Sequence, residues 1–137
     1  MISERFVWRV RVYYEDTDAA GIVYHANYLR FMERARTEWL RTLGFEQDAL
    51  LDDFNIVFVV NQTDVKYVRA ARFNEELTVT TGLERLRGAS LEFVQIIEDC
   101  DQRCVCTASN RVACVDASSF KPRRIPGQML RVFQSAN

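Results

Sequence analysis

The sequence has few of the residues that build metal centres. Its only histidine is His25, and its four cysteines have no histidine near them, a pattern unlike that of a zinc site. We therefore expect no metal site, and we predict that the thiols are free and buried. The cysteines concerned are Cys100, Cys104, Cys106 and Cys114.

Long apolar runs and an excess of charge are also missing. No stretch approaches the roughly 18 apolar residues of a membrane span, and Met1 to Arg5 contain no apolar segment of a signal peptide. The formal net charge of −1 at pH 7 provides no field that would attract nucleic acid. Because no secretion signal is visible, we predict a cytoplasmic protein with reduced thiols, no membrane span and no nucleic-acid partner.

What is present is an ordinary globular composition. The 137 residues are 48% hydrophobic and 27% charged, so we expect a single domain over residues 1–137. Apolar residues alternate over residues 6–14, which predicts a half-buried strand. From Asn27 the apolar period becomes helical, with Asn27 as the expected N-cap and Gly44 as the expected end of the helix.

The second half of the chain has the pattern of successive strands. The continuous apolar run at residues 56–60 is typical of a strand buried on both faces, with an extension to Val68 as an alternative. Residues 45–54 are compatible with a short helix or with an irregular segment that covers the core. One long helix followed by strands indicates an α+β fold with an antiparallel sheet around the helix. The other predicted features are strands at 77–83, 91–97 and 103–115, turns at Gly88 and 99–102, and a short helix after Pro126.

The densest group of polar residues lies between the first strand and the long helix, in residues 14–28. It contains three carboxylates within four positions, the first glycine and the only histidine. Its beginning is similar to a calcium-binding loop, but Ala20 and Asn27 stand where oxygen ligands are required, so we exclude calcium. Taken singly, Asp16, Asp18 and His25 are more typical of turns and helix starts than of catalysis.

As a whole, this stretch resembles the active-site loop of the hotdog-fold acyl-CoA thioesterases of the 4-hydroxybenzoyl-CoA thioesterase family. The histidine makes it most similar to the tol–pal-associated, YbgC-type branch. The resemblance implies a hotdog fold, in which an antiparallel sheet of about five strands wraps around one long central helix. It rests on Asp16-Thr17-Asp18, Gly21-Ile22-Val23-Tyr24-His25, Asn27-Tyr28 and Lys121-Pro122-Arg123.

The resemblance also implies roles for individual residues. Asp18 matches the family's catalytic aspartate, which attacks the thioester carbonyl or activates water. The backbone N–H of His25 would polarise that carbonyl at the start of the helix, and its imidazole would assist. Tyr24 and Gly21 are expected to contact the substrate, and Gly21 also to provide a special backbone angle.

An alternative acid is Glu33, because some hotdog enzymes take their acid from the central helix. Arg36 and Thr37 follow Glu33 three and four residues later, so we predict a surface pair for it instead.

Two basic stretches are candidates for binding the phosphates of coenzyme A. Arg87 and Ser90 belong to one, and Lys121 and Arg123 to the other. Solvated turns explain these residues equally well one by one. By resemblance, such contacts often come from a neighbouring subunit, so we expect a dimer or tetramer, with no cofactor beyond the coenzyme A of the substrate.

Two other functions stay open at this stage. The chain could bind acyl-CoA or acyl carrier protein without hydrolysing it, or act as a scaffold at the cell envelope. The carboxylate of Asp18 favours hydrolysis over both. The length of the acyl group is not encoded in any motif, because Phe58, Tyr67 and Phe93 could line its pocket or simply fill the core.

Overall fold

The computed structural model describes residues 5–136. Its fold is one antiparallel sheet covered by helices. The prediction about a signal peptide at Met1 to Arg5 therefore lies almost wholly outside the described residues. The strands follow the order β1-β3-β4-β5-β2 across the sheet. No helix of the described part is long and apolar enough to cross a bilayer. The elements are β1 (Phe6–Arg11), α1 (Asn27–Thr42), α2 (Gln47–Phe54), β2 (Ile56–Tyr67), β3 (Glu76–Leu86), β4 (Ser90–Glu98), β5 (Cys104–Asp116) and α3 (Gly127–Ala136).

The long helix α1 packs on one face of this sheet. Phe31, Met32 and Ala35 recur at helical spacing on its inner face, and all three are fully buried. They belong to an apolar cluster with residues of β1, β3, β4 and β5, among them Val79 and Ile97. The predicted α+β arrangement of an antiparallel sheet around one long helix is therefore confirmed.

Two predictions at the start of the chain are wrong in detail. The first strand ends at Arg11, and residues 14–16 form a short 3-10 turn because the chain leaves the sheet there. Asn27 is not the N-cap, since Ala26 precedes the helix and Asn27 is its first residue. The buried amide of Asn27 donates a hydrogen bond to Asp16 Oδ1 at 2.7 Å, so it serves a tertiary contact instead.

The apolar run at the start of β2 does not lie in a strand that is buried on both faces. Ile56 is fully buried, but Val59 and Val60 are 36% and 48% exposed. The reason is the position of β2 at the edge of the sheet, where β5 is its one partner strand in the part of the chain that the structure describes. The predicted extension is confirmed, because the strand continues to Tyr67.

The cysteines are all free, but they are not all buried. Burial raises the pKa of the Cys106 thiol to about 12 and that of Cys114 to about 11, so both stay protonated at neutral pH. Cys104 is half-buried and Cys100 is exposed in the turn before β5. The prediction of burial is thus wrong for Cys100, because a turn does not bring its side chain under the helix.

We expect Phe31→Ala to lower the free energy of unfolding by about 3–5 kcal/mol, because it leaves a cavity between α1 and the sheet. Phe120→Ala is the matched control, since that ring is 66% exposed, and it should change stability by less than about 1 kcal/mol. Denaturant unfolding of both variants measures the difference. Equal losses would show that α1 is not packed as described.

Candidate active site

The polar stretch after β1 forms a tight antiparallel turn. Thr17 pairs with Val23, and one step further the Asp18 N–H donates to the Ile22 carbonyl at 2.9 Å. The turn closes with a bond of 3.0 Å from the Gly21 N–H to the Asp18 carbonyl. Gly21 has a φ of +79°, so the predicted special backbone angle is confirmed. Open space surrounds the position of its missing side chain.

Asp16 joins this turn to the helix. It is 4% exposed, and its Oδ2 accepts a hydrogen bond of 2.7 Å from the Tyr13 N–H. Its Oδ1 accepts the bond from the Asn27 side chain. Both carboxylate oxygens are therefore used inside the protein, and Asp16 has a structural role rather than a chemical one.

The turn is also attached to the sheet. The Val23 N–H donates to the Ala71 carbonyl at 2.9 Å, and the Ala71 N–H donates to the Tyr28 hydroxyl at 3.0 Å. At the end of β2, the Tyr67 hydroxyl donates to the His25 carbonyl at 3.0 Å. These contacts hold the start of α1 against β2.

Asp18 is exposed and only partly engaged. Its Oδ1 accepts a bond of 2.9 Å from the Ala20 N–H, and its Oδ2 has no hydrogen-bond partner within residues 5–136. The backbone N–H groups of His25 and Ala26 also lack an acceptor in that range. The loop thus offers a carboxylate oxygen and two amides at the positive end of the helix dipole.

The ring of His25 is exposed and lies among aromatic rings. The centroid of Tyr24 is 4.7 Å from it, and that of Tyr67 is 6.0 Å away, edge to face. Tyr24 itself is 47% exposed. Tyr24 and His25 are therefore both exposed beside the end of β2.

The predicted phosphate-binding residues form a second group. Ser90 is paired with Ala113 near the end of β5, and the Asp116 N–H donates to the Lys121 carbonyl at 2.9 Å. The two basic stretches are adjacent, because the Ile125 N–H donates to the Gly88 carbonyl at 2.8 Å. Residues that are more than 30 positions apart in sequence thus share one surface.

The cations in this group differ in how they are held. Arg123 donates to the carbonyls of Phe54 and Asn55, and Arg87 lies 3.2 Å from Glu92. The ammonium group of Lys121 has no hydrogen-bond or ion-pair partner among the described residues. Lys121 is therefore the most available of these three cations.

One chain does not bring the two groups together. Tyr67, next to His25, is opposite Cys106 on β5, whereas Ile56 is opposite Asp116 at the other end. Ten residue steps of an extended strand span about 30 Å. The loop with Asp18 and the basic group therefore lie at opposite ends of the sheet.

Comparison with known proteins identifies the family of this chain. A model of the thioesterase-like superfamily matches residues 12–133. The acyl-CoA thioester hydrolase YbgC of Escherichia coli O6:H1 is 44% identical over 134 residues, 98% of this chain and 99% of that protein. The acyl-CoA thioesterase YbgC of Haemophilus influenzae is 43% identical over 97% of each chain. The chain belongs to the YbgC-type hotdog thioesterases.

A solved structure supports the same assignment. The crystal structure of a probable thioesterase from Bartonella henselae is 36% identical and superposes with a TM-score of 0.85. It covers 90% of this chain and 100% of that one. The hotdog fold implied by the loop is thereby confirmed for this member of the family.

Sequence reasoning missed a polar cluster between α1 and the sheet, in which the buried residues Thr81, Gln95 and Asn110 meet the half-buried Arg36 of the helix. The Gln95 amide donates to Thr81 Oγ1 at 2.9 Å and to the Met32 carbonyl at 3.0 Å. Its oxygen accepts from Arg36 and Asn110, both at 2.9 Å. A signal was available, because each of the three strand residues interrupts an inward-facing apolar row.

Glu33 has the predicted type of surface partner. Its Oε2 accepts a hydrogen bond of 2.8 Å from the Thr37 hydroxyl, whereas Arg36 turns inward to Gln95. Among residues 5–136, no group of three or more histidine, cysteine, aspartate or glutamate side chains is arranged to hold a metal ion.

The two aspartates of the loop should respond differently to truncation. We expect Asp16→Ala to lower the free energy of unfolding by about 3 kcal/mol, since one buried and one part-buried donor lose a charged acceptor. Asp18→Ala removes one exposed bond and should cost less than about 1 kcal/mol. Denaturant unfolding checks both values, and a larger loss for Asp18→Ala than for Asp16→Ala would contradict the division of roles.

Proposed function

We propose that the chain hydrolyses the thioester of acyl-CoA to a carboxylic acid and free coenzyme A, with Asp18 as nucleophile or general base. The observation that carries the proposal is that Asp18 Oδ2 and the N–H groups of His25 and Ala26, all in one loop, have no hydrogen-bond partner among residues 5–136. A carboxylate and a pair of amide donors are the two devices that thioester hydrolysis requires. The acyl-CoA substrates named for the relatives from Escherichia coli and Haemophilus influenzae support the choice of ester.

The chemistry has two possible first steps. As a general base, Asp18 takes a proton from water while the water oxygen bonds to the thioester carbon. As a nucleophile, Asp18 bonds to that carbon itself, and water later opens the mixed anhydride. In both routes the carbonyl electrons move onto oxygen, where the His25 and Ala26 N–H groups stabilise the charge. The C–S bond then breaks, and the thiolate of coenzyme A takes up a proton.

We expect Asp18→Asn to lower the rate of thiol release from acyl-CoA by about 10²–10⁴-fold, because an amide neither attacks nor accepts the proton. The amide still accepts the bond from Ala20, so the thermal unfolding midpoint should be unchanged. Asp101→Asn, in an exposed turn far along the chain, is the matched control and should keep full activity. A variant at Asp18 with near-normal turnover would remove this residue from the mechanism.

The same assay addresses the binding and scaffolding alternatives. A protein that only binds acyl-CoA or acyl carrier protein would release no thiol above the Asp18→Asn background. We include acyl carrier protein as a second possible carrier of the acyl group, because it presents the same thioester. The proposed mechanism uses no metal or redox cofactor. Free thiols are typical of cytoplasmic proteins, so we propose that the protein acts in the cytoplasm.

The active assembly is proposed to contain at least two copies, joined along β2. This long strand exposes Val59 and Val60, and one of its edges has no partner strand within residues 5–136, which favours pairing with another chain. Antiparallel pairing of β2 with its copy about a two-fold axis would reverse the partner strand. The Ile56 end of one copy would then lie beside the Tyr67 end of the other.

This pairing would complete the site. In one chain the basic group lies about 30 Å from the loop, as the length of β5 requires. In the pair, Lys121 and Arg123 of the partner subunit would approach His25 and Asp18. Coenzyme A would therefore bind its phosphates on one copy and place its thioester in the loop of the other.

A mixing experiment tests the shared site. Lys121→Glu should raise KM about tenfold by repelling phosphate, whereas Asp18→Asn stops turnover. If each site uses both copies, mixed dimers of the two variants keep one intact site, so about a quarter of all sites should regain the wild-type KM. Equal mixtures refolded together are compared with the unmixed variants. No recovery in confirmed mixed dimers would place both residues in one chain's site.

A further inference from the structure

The carbonyl of His25, just before the first turn of α1, is bonded by a side chain and not by the main chain. The nearby Leu29 N–H donates to the Ala26 carbonyl at 3.2 Å, and no backbone N–H within residues 5–136 donates to the His25 oxygen. The hydroxyl of Tyr67 donates to that oxygen at 3.0 Å. The last residue of β2 therefore holds the peptide at which the helix begins.

This carbonyl belongs to the same peptide unit as one of the proposed oxyanion donors. The His25 oxygen and the Ala26 N–H lie on the two sides of one planar trans peptide bond, so they point in opposite directions. A hydroxyl that fixes the direction of the oxygen also fixes the direction of the N–H. The Ala26 N–H has no acceptor of its own among the described residues, so it is available to a thioester oxygen.

The same hydrogen bond makes the Ala26 N–H a stronger donor. A proton donor at an amide oxygen draws electron density away from the nitrogen, and linked hydrogen bonds strengthen one another by roughly 10–30% per bond. A hydrogen bond to an oxyanion is roughly twice as strong as one to a neutral carbonyl. The benefit of Tyr67 is therefore greater in the transition state than in the bound ester, which is the condition for a faster chemical step.

Tyr67 is itself held in place. The N–H of the next residue, Val68, donates to the Val105 carbonyl at 2.9 Å, which fixes the chain where β2 ends. The centroid of the Tyr67 ring is 5.8 Å from that of Tyr28 and 6.0 Å, edge to face, from that of His25. Burial raises the pKa of the Tyr67 hydroxyl, so the group keeps its proton and remains a donor at neutral pH.

We propose that Tyr67 is a positioning residue of the thioesterase, whose hydroxyl holds and polarises the His25–Ala26 peptide so that the Ala26 N–H stabilises the oxyanion. The inference rests on the proposed thioesterase function. In this role Tyr67 acts through the peptide and not on the substrate, and its oxygen keeps its proton throughout. The carbonyl electrons move onto the substrate oxygen beside the Ala26 N–H, and they return when the C–S bond breaks.

The test uses Tyr67→Phe, which keeps the ring and removes only the hydroxyl. The probe is octanoyl-CoA or benzoyl-CoA, whichever the wild type hydrolyses faster. We expect kcat to fall about tenfold and KM to change by less than about twofold, because the lost stabilisation applies to the oxyanion. Removing an oxyanion donor outright costs about 10²–10³-fold, and the loss here is smaller because the Ala26 N–H is still present. Tyr13→Phe, at a ring that is 62% exposed, is the matched control and should keep full activity.

A second measurement responds to polarisation and not to a general loss of stability. Asp18→Asn should bind the thioester and hydrolyse it slowly, so the carbonyl stretching frequency of a ¹³C-labelled ester can be recorded by infrared difference spectroscopy. Donors at the carbonyl oxygen lower this frequency. We expect a smaller downshift when Tyr67→Phe is added to Asp18→Asn than with Asp18→Asn alone, because the Ala26 N–H is then a weaker donor.

Four results would overturn the proposal. The first two are a Tyr67→Phe variant with the kcat of the wild type and an unchanged carbonyl frequency in the double variant. The third is an equal fall in kcat for Tyr28→Phe, which loses the bond from the Ala71 N–H, since any loosening of the helix start would then have the same effect. The fourth is a changed molar mass of Tyr67→Phe in light scattering, since the hydroxyl would then serve assembly.

Failure of the proposed function itself gives a different result. In that case neither the wild type nor Tyr13→Phe would release thiol from either ester, whereas failure of the Tyr67 proposal alone leaves both of them active.

Discussion

The loop depends on one buried hydrogen bond between Asp16 and Asn27. A charge-assisted bond of this kind contributes about 1.5–3 kcal/mol, and its 2.7 Å length agrees with that class. Asp16 also holds the Tyr13 N–H, so the same carboxylate joins the chain leaving β1 to the first turn of α1. Because both ends of the loop are fixed, Asp18 is held in a narrow range of positions. Its exposed carboxylate therefore costs little additional conformational entropy to order.

A second polar attachment lies deeper along the same helix. Gln95 is fully buried, and the hydrogen-bonding capacity of its amide is fully used by Thr81, Met32, Arg36 and Asn110. A satisfied network of this kind specifies the rotation of a helix more sharply than apolar packing does, because each donor has one acceptable direction. The helix start and the guanidinium of Arg36 are therefore carried on one rigid element.

The loop with Asp18 and the basic group lie at opposite ends of the sheet, and this separation suggests a role for the edge strand β2. β2 spans the distance from the basic group to the loop, and within residues 5–136 its outer edge has no strand partner and exposes Val59 and Val60. An open strand edge with exposed valines is unfavourable for an isolated protein, whereas it is suited to contact with a copy. A substrate as long as acyl-CoA can use both ends when the second copy runs in the opposite direction.

The sequence by itself determined the element types, the central helix and the family, because apolar periodicity and a long local motif are properties of neighbouring residues. It also led to Asp18, His25 and Gly21, which lie in one continuous loop. Only the tertiary structure decided that Asn27 bonds to Asp16 instead of capping its helix, that the apolar run of β2 forms an exposed edge, and that Arg36 turns inward to Gln95. The two hydrogen bonds join residues 11 and 59 positions apart, and β2 pairs with residues 39 to 60 positions away, so no local pattern encodes these features.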